Sequence, residues 1–211
     1  MIATKIRELD RILGGGLAVA GVTTFLGPTA SGKSTLCLQI ALDLSTPRKV
    51  LLYHEGNGNL EHRMKHLHRD PNWNLDLKGL SLKVGTGLTM ETLRGHAQEH
   101  QASVLVYDGR GRGGAVIPMN EWVSFAQQSG IAVLMTATTL NNEEIGMLGD
   151  IVELEMVPSD PLARNIKTRK THLESALTGK LRLHPVRKMF YSDDEGVYAS
   201  SITPNHKVHL P

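Results

Sequence analysis

Six short apolar runs punctuate the chain: GVTTFLG (21–27), KVLLYH (49–54), LSLKV (80–84), SVLVYD (103–108), IAVLMTA (131–137) and DIVELEMV (150–157). The first five are continuous rather than alternating, the pattern of strands buried on both faces. Between them lie segments with helical spacing, at 34–44, 60–68, 90–100 and 119–129. Gly130 follows the last of these, where a helix C-cap belongs. Strands alternating with helices predict a mostly parallel sheet covered by helices.

After about residue 150 the pattern changes. The run 150–157 alternates polar and apolar residues and reads as half-exposed. Beyond it lie two candidate strands, 180–188 and 197–203, which the turn region Ser192-Asp193-Asp194-Glu195-Gly196 could join as an antiparallel hairpin. The expected fold class is α/β, a mostly parallel central sheet flanked by helices with C-terminal antiparallel strands. One domain is expected, its core spanning about residues 4–204.

A length of 211 residues with 40% hydrophobic content suffices to bury a real core. A single cysteine, Cys37, excludes a disulfide framework and a cysteine-based zinc site. The sequence has no apolar stretch of transmembrane length, and MIATKIRELD lacks the apolar centre of a signal peptide, so a soluble, cytoplasmic protein with no membrane partner is expected. Lys+Arg 23 against Asp+Glu 21 points to no partner. The distribution says more. Glu143, Glu144, Asp150, Glu153, Glu155 and Asp160 fall at 141–160 without a basic residue. Arg164, Lys167, Arg169, Lys170, Lys180, Arg182, Arg187 and Lys188 follow, opposed by Glu174 alone. Such asymmetry suits a polyanion or a charged neighbouring subunit, or two solvated faces that neutralise each other.

Gly27-Pro28-Thr29-Ala30-Ser31-Gly32-Lys33-Ser34 matches G-x-x-x-x-G-K-[ST] in full, after an apolar strand and before a helix that reads as amphipathic. Glycines let the backbone wrap phosphates, and amide N–H groups at the helix start face the anion. Gly27 through Ser34, with Thr35 beside them, are therefore the candidate ATP-binding residues. Lys33 would place its charge between the β- and γ-phosphates, and the Ser34 hydroxyl would ligate Mg²⁺. Asp108 ends a buried strand and is the candidate second acid for Mg²⁺, since an acid at the carboxyl end of a parallel strand points into the ligand crevice. Glu55 ends KVLLYHE and could polarise the attacking water. His54 reads as strand-end packing. His62 and His66 share a helical face, without an evident third metal ligand.

With these positions in place, the chain resembles the RecA-type P-loop ATPase superfamily, particularly its RadA and KaiC branches. LDRILGGGLAVAGVTTFLGPTASGKSTLCLQIA is similar to their opening segment, MLGDIVELE to the strand before the closing hairpin, and LRLHPVRKMFYSDDEGVYASSITP to the basic strand and hairpin. The resemblance implies a RecA-like fold, Mg·ATP bound by Lys33, Ser34 and Asp108, and Glu55 as the catalytic glutamate that orients water. It also implies a homo-oligomeric ring or filament with ATP at subunit interfaces, where Arg187 or Lys188 acts across the boundary. The implied activity is ATP hydrolysis on DNA in recombination, repair or replication. An alternative is a KaiC-like or recombinase-paralogue regulatory module that binds ATP with slow hydrolysis or none; a small-molecule kinase fits the terminal hairpin poorly.

The chain departs from the family where many members carry a γ-phosphate-sensing Gln or His. Here the residues are Thr136-Ala137-Thr138-Thr139. The following segment, where recombinases place a DNA-binding loop, contains Glu143 and Glu144 and no base, so DNA contacts are not expected there. Arg110 and Arg112, in a glycine-rich stretch after Asp108, and Arg164, Lys167, Arg169 and Lys170, in an apparent insertion, are the candidate contacts to single-stranded DNA. With aromatic content at 4%, such binding would be mainly electrostatic.

Overall fold

A computed structural model describes residues 1–55, 79–110, 117–170, 176–183 and 189–192. Among these the elements are α1 (Arg7–Ile12), β1 (Val22–Leu26), α2 (Lys33–Ser45), β2 (Val50–His54), β3 (Leu80–Val84) and α3 (Met90–Glu99). They continue as β4 (Val104–Arg110), α4 (Met119–Ser129), β5 (Ala132–Ala137), α5 (Asn142–Met147), β6 (Asp150–Val157), β7 (Asp160–Lys170), β8 (Thr178–Leu183) and β9 (Phe190–Ser192). The strands form one sheet in the order β3-β2-β4-β5-β1-β6-β7-β8-β9. The first six in that order are parallel and the last three antiparallel, as the sequence pattern predicts.

Continuous apolar runs are needed because the sheet is covered on both faces. Val50, Leu52, Val104, Val106 and Leu134 point to one core, shared with α1 and α2. Their neighbours Leu51, Tyr53, Leu105, Tyr107 and Val133 point to the other, against α3 and α4. Helix α2 is not amphipathic: Leu36, Cys37, Leu38, Gln39, Ile40, Ala41, Leu42 and Leu44 are all buried, because α1 and the antiparallel strands enclose the side turned from the sheet. Helix α4 ends on Gly130 at φ 72, the left-handed cap its position promised.

Three further expectations change, and one strand is added. Strand β3 is only half-buried, since it forms the sheet edge and has a neighbour on one side alone. The segment after β5 is a short helix rather than a loop, closed by a reciprocal capping box between Asn141 and Glu144. Residues 160–170 are no insertion but strand β7, paired with β6 and β8. A strand not expected from the pattern, β9, pairs antiparallel with β8, Leu181 opposite Ser192 and Leu183 opposite Phe190, while residues 193–196 of the expected turn lie outside the described residues. The proposed helix 60–68, with His62 and His66, and the strand 197–203 lie outside the described residues. No helix among the described residues is long and apolar enough to cross a membrane.

Near the far end of α2 the Lys5 ammonium donates to the Asp43 carbonyl at 2.6 Å. Burial pushes the Asp43 carboxyl up to about 7, with the Lys5 charge opposing it. A folded-state value above that of the unfolded chain means that protonation favours folding. The contribution is complete below about pH 4 and is lost as pH rises through 7. Asp43→Asn should therefore remove a fall in stability of ~2–4 kcal/mol between pH 4 and 8. Urea midpoints of both proteins across that range check this.

Candidate functional site

The loop between β1 and α2 is shaped by three backbone requirements. A side chain at Gly27 would collide with the Leu154 carbonyl of β6, Ala30 is left-handed at φ 66, and Gly32 enters the helix at φ 102. A Cβ on Gly32 would also meet the Phe190 ring of β9 at 2.6 Å. Pro28, Thr29 and Ala30 form the exposed apex, whereas Ser31 and Lys33 are buried and Ser34 and Thr35 half-buried. The Lys33 ammonium donates to the carbonyls of Gly27 at 2.6 Å and Pro28 at 2.7 Å. A lysine is thus held inside the turn of the loop by neutral carbonyls, with its charge directed at the loop's own concavity.

Asp108 lies three strands away in sequence but beside this helix in space. Its Oδ1 accepts from the Ser34 hydroxyl and from the Thr136 hydroxyl, each at 2.9 Å, and its Oδ2 accepts from His54 Nδ1 at 2.9 Å. The carboxylate is 1% exposed. Burial alone would raise its pKa, but the hydrogen bond from His54, then those from Ser34 and Thr136, outweigh it and hold the carboxyl below its ordinary value. Thr136 in turn accepts the Gly109 N–H at 3.1 Å. Strand register makes this convergence: His54 is opposite Asp108 across β2–β4, and Thr136 sits on β5, the other neighbour of β4.

Glu55, just beyond β2, is 4% exposed, and its N–H donates to the Asp108 carbonyl at 2.9 Å. A Cβ at Gly109 would fall onto the Glu55 Cβ, so only glycine fits there. Lys33, Ser34, Asp108 and Glu55 therefore cluster at the carboxyl ends of β1, β2 and β4. Arg110 ends β4 opposite Ala137, beyond an irregularity in pairing, and so continues the strand instead of opening the loop. Arg112, Arg187 and Lys188 lie outside the described residues.

The basic strand corrects the reading of Arg164 as a DNA contact. Arg164 is 6% exposed and its guanidinium donates to the carbonyls of Ser31 at 2.7 Å, Pro161 at 2.8 Å and Ala163 at 2.7 Å. Lys167 and Arg169 are on the exposed face of β7, where Arg169 pairs with Glu153 at 3.3 Å. Arg182 on β8 pairs with Asp160 at 2.8 Å. Lys170 ends β7 opposite Ile151. The acidic and basic blocks are thus neighbouring strands that neutralise each other in part.

Sequence reasoning missed His54, read as packing, and did not assign Thr136 to the acid. A polar residue at the end of a continuous apolar strand is the signal common to both. Gln39 was missed too: its side-chain amide donates to the Phe190 carbonyl at 2.8 Å and accepts the Phe190 N–H at 2.7 Å, fastening β9 to α2.

The donors suit a phosphate and a small hard cation. A buried ammonium and the N-terminal turn of α2 are anion donors, and a hydroxyl with an ionised carboxylate is an all-oxygen pair. Among the described residues no cluster of three or more His, Cys, Asp or Glu side chains is arranged to hold a metal. A cation here would therefore take its remaining ligands from the anion and water.

A parallel sheet with β1 central, a G-x-x-x-x-G-K-S loop at its end and an acid at the end of β4 defines a P-loop protein with a RecA-like sheet. No protein-family model matches the chain. The "DNA repair protein RadA" of Pseudomonas aeruginosa is 32% identical over an alignment of 145 residues that covers 63% of this chain and 31% of that protein. The "DNA repair and recombination protein RadB" of Thermococcus kodakarensis is 50% identical over 42 residues, 20% of this chain and 19% of that one. The crystal structure of the RadB recombinase superposes with a TM-score of 0.73 at 19% identity, covering 91% of this chain and 99% of that chain. The chain thus shares the RecA-like fold of the RadB recombinase structure and is similar in sequence to RadA and RadB proteins, and it spans about a third of the length of the Pseudomonas RadA protein that it matches.

Thr136→Val removes a donor to Asp108 and the acceptor of the Gly109 N–H, both buried. It should cost ~1–3 kcal/mol, while Thr136→Ser retains most of the stability. Chemical denaturation of the three proteins measures this, and a valine variant as stable as wild type would contradict the network.

Proposed function

We propose that the protein is a Mg²⁺-dependent ATPase that acts with DNA in recombination or repair. One observation carries the reading: the Ser34 hydroxyl at 2.9 Å from Asp108 Oδ1, which brings the P-loop serine to the carboxylate at the end of β4. Lys33, released from the Gly27 and Pro28 carbonyls, would exchange neutral acceptors for phosphate oxygens. Ser34 would ligate Mg²⁺ directly and Asp108 through water. The ion supplies neutralisation of charge on the phosphate oxygens. Glu55, held beside Asp108, would orient a water and take its proton as the water oxygen attacks the γ-phosphorus and the bond to the bridging oxygen of ADP breaks.

The role on DNA is supported by the names of the RadA and RadB relatives. Arg110, at the carboxyl edge of the sheet, and Arg112 after it are the proposed contacts to single-stranded DNA, with Lys167, Arg169 and Lys170 as a second basic strip. Arg164 is not among them. Assembly into a ring or filament would bring Arg187 or Lys188 of one subunit to the nucleotide of the next.

A second reading, a regulatory module in which ATP binding holds an assembly and turnover is slow, is favoured by Thr136. Its hydroxyl is spent on Asp108, so it is not directed at a γ-phosphate. ATP turnover with and without single-stranded DNA separates the two: stimulation by DNA supports the ATPase, and its absence with ATP-dependent assembly supports the module. Lys33→Ala should abolish nucleotide binding and turnover in either case, and wild-type turnover in that variant would overturn the assignment of the loop.

A further inference from the structure

Arg164 is a buried cation whose hydrogen-bond partners are all neutral carbonyls: those of Ser31, Pro161 and Ala163. Asp160 supplies a field from a distance, but its carboxylate is engaged with Arg182 at 2.8 Å. Enclosing a guanidinium without a bonded carboxylate is costly, and burial does lower its pKa, although an arginine stays charged. Of the three carbonyls, that of Ser31 belongs to the phosphate-type loop.

That carbonyl belongs to the same peptide unit as the Gly32 N–H. In a trans peptide the C=O and N–H bonds point in opposite directions, so that their dipoles add. With the Ser31 oxygen turned back to Arg164, the Gly32 N–H is directed away from Arg164, and no backbone carbonyl among the described residues accepts it. A charged donor on the carbonyl polarises the amide and strengthens its N–H as a donor. Bonds to the Pro161 and Ala163 carbonyls fix the guanidinium on its own strand, so its bond to the Ser31 carbonyl ties the loop to β7 and limits rotation of the peptide.

We propose that Arg164 is a positioning residue for the nucleotide: from behind the loop it fixes and polarises the Ser31–Gly32 peptide, so that the Gly32 N–H is presented to a phosphate whose negative charge compensates the buried guanidinium. This rests on the nucleotide-binding reading above and adds to it a cation acting in cis from β7, outside the loop motif. Because the effect passes through charge, it depends on the phosphates and not on the nucleoside.

Calorimetric titration of wild type, Arg164→Met and Arg164→Lys with Mg·ATP, ADP and adenosine tests it, together with the Gly32 amide proton shift in labelled protein. Arg164→Met should weaken Mg·ATP and ADP about tenfold or more, leave adenosine unchanged and move the Gly32 proton upfield; Arg164→Lys should recover part of both. Equal Mg·ATP affinity in a folded Arg164→Met protein, or an equal loss for adenosine, overturns the proposal. Should the methionine variant fail to fold, Arg164→Gln, which keeps an N–H toward the carbonyls without the charge, is held to the same outcomes. A wild-type protein that binds no Mg·ATP removes the nucleotide reading and this proposal together, whereas tight binding by both wild type and the neutral variant removes only the role of Arg164.

Discussion

A carboxylate with 1% of its surface exposed persists in the ionised form only if its neighbours return what water supplied, and Asp108 is such a group. Three donors from three elements do so: Ser34 from α2, His54 from β2 and Thr136 from β5. An ionised carboxylate can only accept, so the His54 proton resides on Nδ1. These bonds impose geometry on the whole sheet edge. They set the first turn of α2 against β4, keep β2 in register with β4, and leave Glu55 packed over Gly109. A loss at any of the three would leave a buried charge short of a partner, a far larger penalty than the bond itself contributes.

A second set of contacts holds the loop from the other side. Arg164 bonds the Ser31 carbonyl, the Phe190 ring abuts Gly32, and Gln39 clasps both backbone groups of Phe190. The antiparallel strands are therefore no appendage to the parallel core. Strand β7 reaches the rear of the loop, and β9 is fastened to the helix that the loop opens. Any rearrangement of the loop must move these strands or break buried hydrogen bonds, so the loop and the hairpin beyond β8 are mechanically one unit.

The parts legible in the sequence are those governed by local rules. Five continuous apolar runs gave five of the six parallel strands, Gly130 gave the end of α4, and the eight residues from Gly27 to Ser34 marked the loop, because each signal is contained within a few neighbouring residues. What escaped depends on neighbours distant in the chain. Arg164 looks like a surface base in the string Arg164-Asn165-Ile166-Lys167, yet alternation along β7 turns it inward while Lys167 stays outside. Its burial follows from the pairing of β7 with β6 and β8, which the segment alone does not announce. His54 is a similar case, since nothing within KVLLYH tells that Asp108 will lie directly across from it. The capping box at Asn141 and Glu144 is local, and the three-residue spacing of the two side chains is its sequence signal.

The use of Thr136 bears on how a nucleotide's state could be sensed. A residue at the end of β5 can report on a γ-phosphate only if its polar atom is free to exchange partners. Here the hydroxyl bonds both Asp108 and the Gly109 N–H, and the next residue, Ala137, carries no polar atom; Thr138 and Thr139 are exposed beyond the strand. Signals from this side of the site would therefore pass through Asp108 and the backbone of Gly109 into the segment that begins at Arg110. On the opposite side, Arg164 and Gln39 connect the loop to the antiparallel strands without any sensor from β5. The second route runs through buried hydrogen bonds, with charge at Arg164, and does not involve β5, so coupling between nucleotide and hairpin should survive substitutions at Thr138 and Thr139.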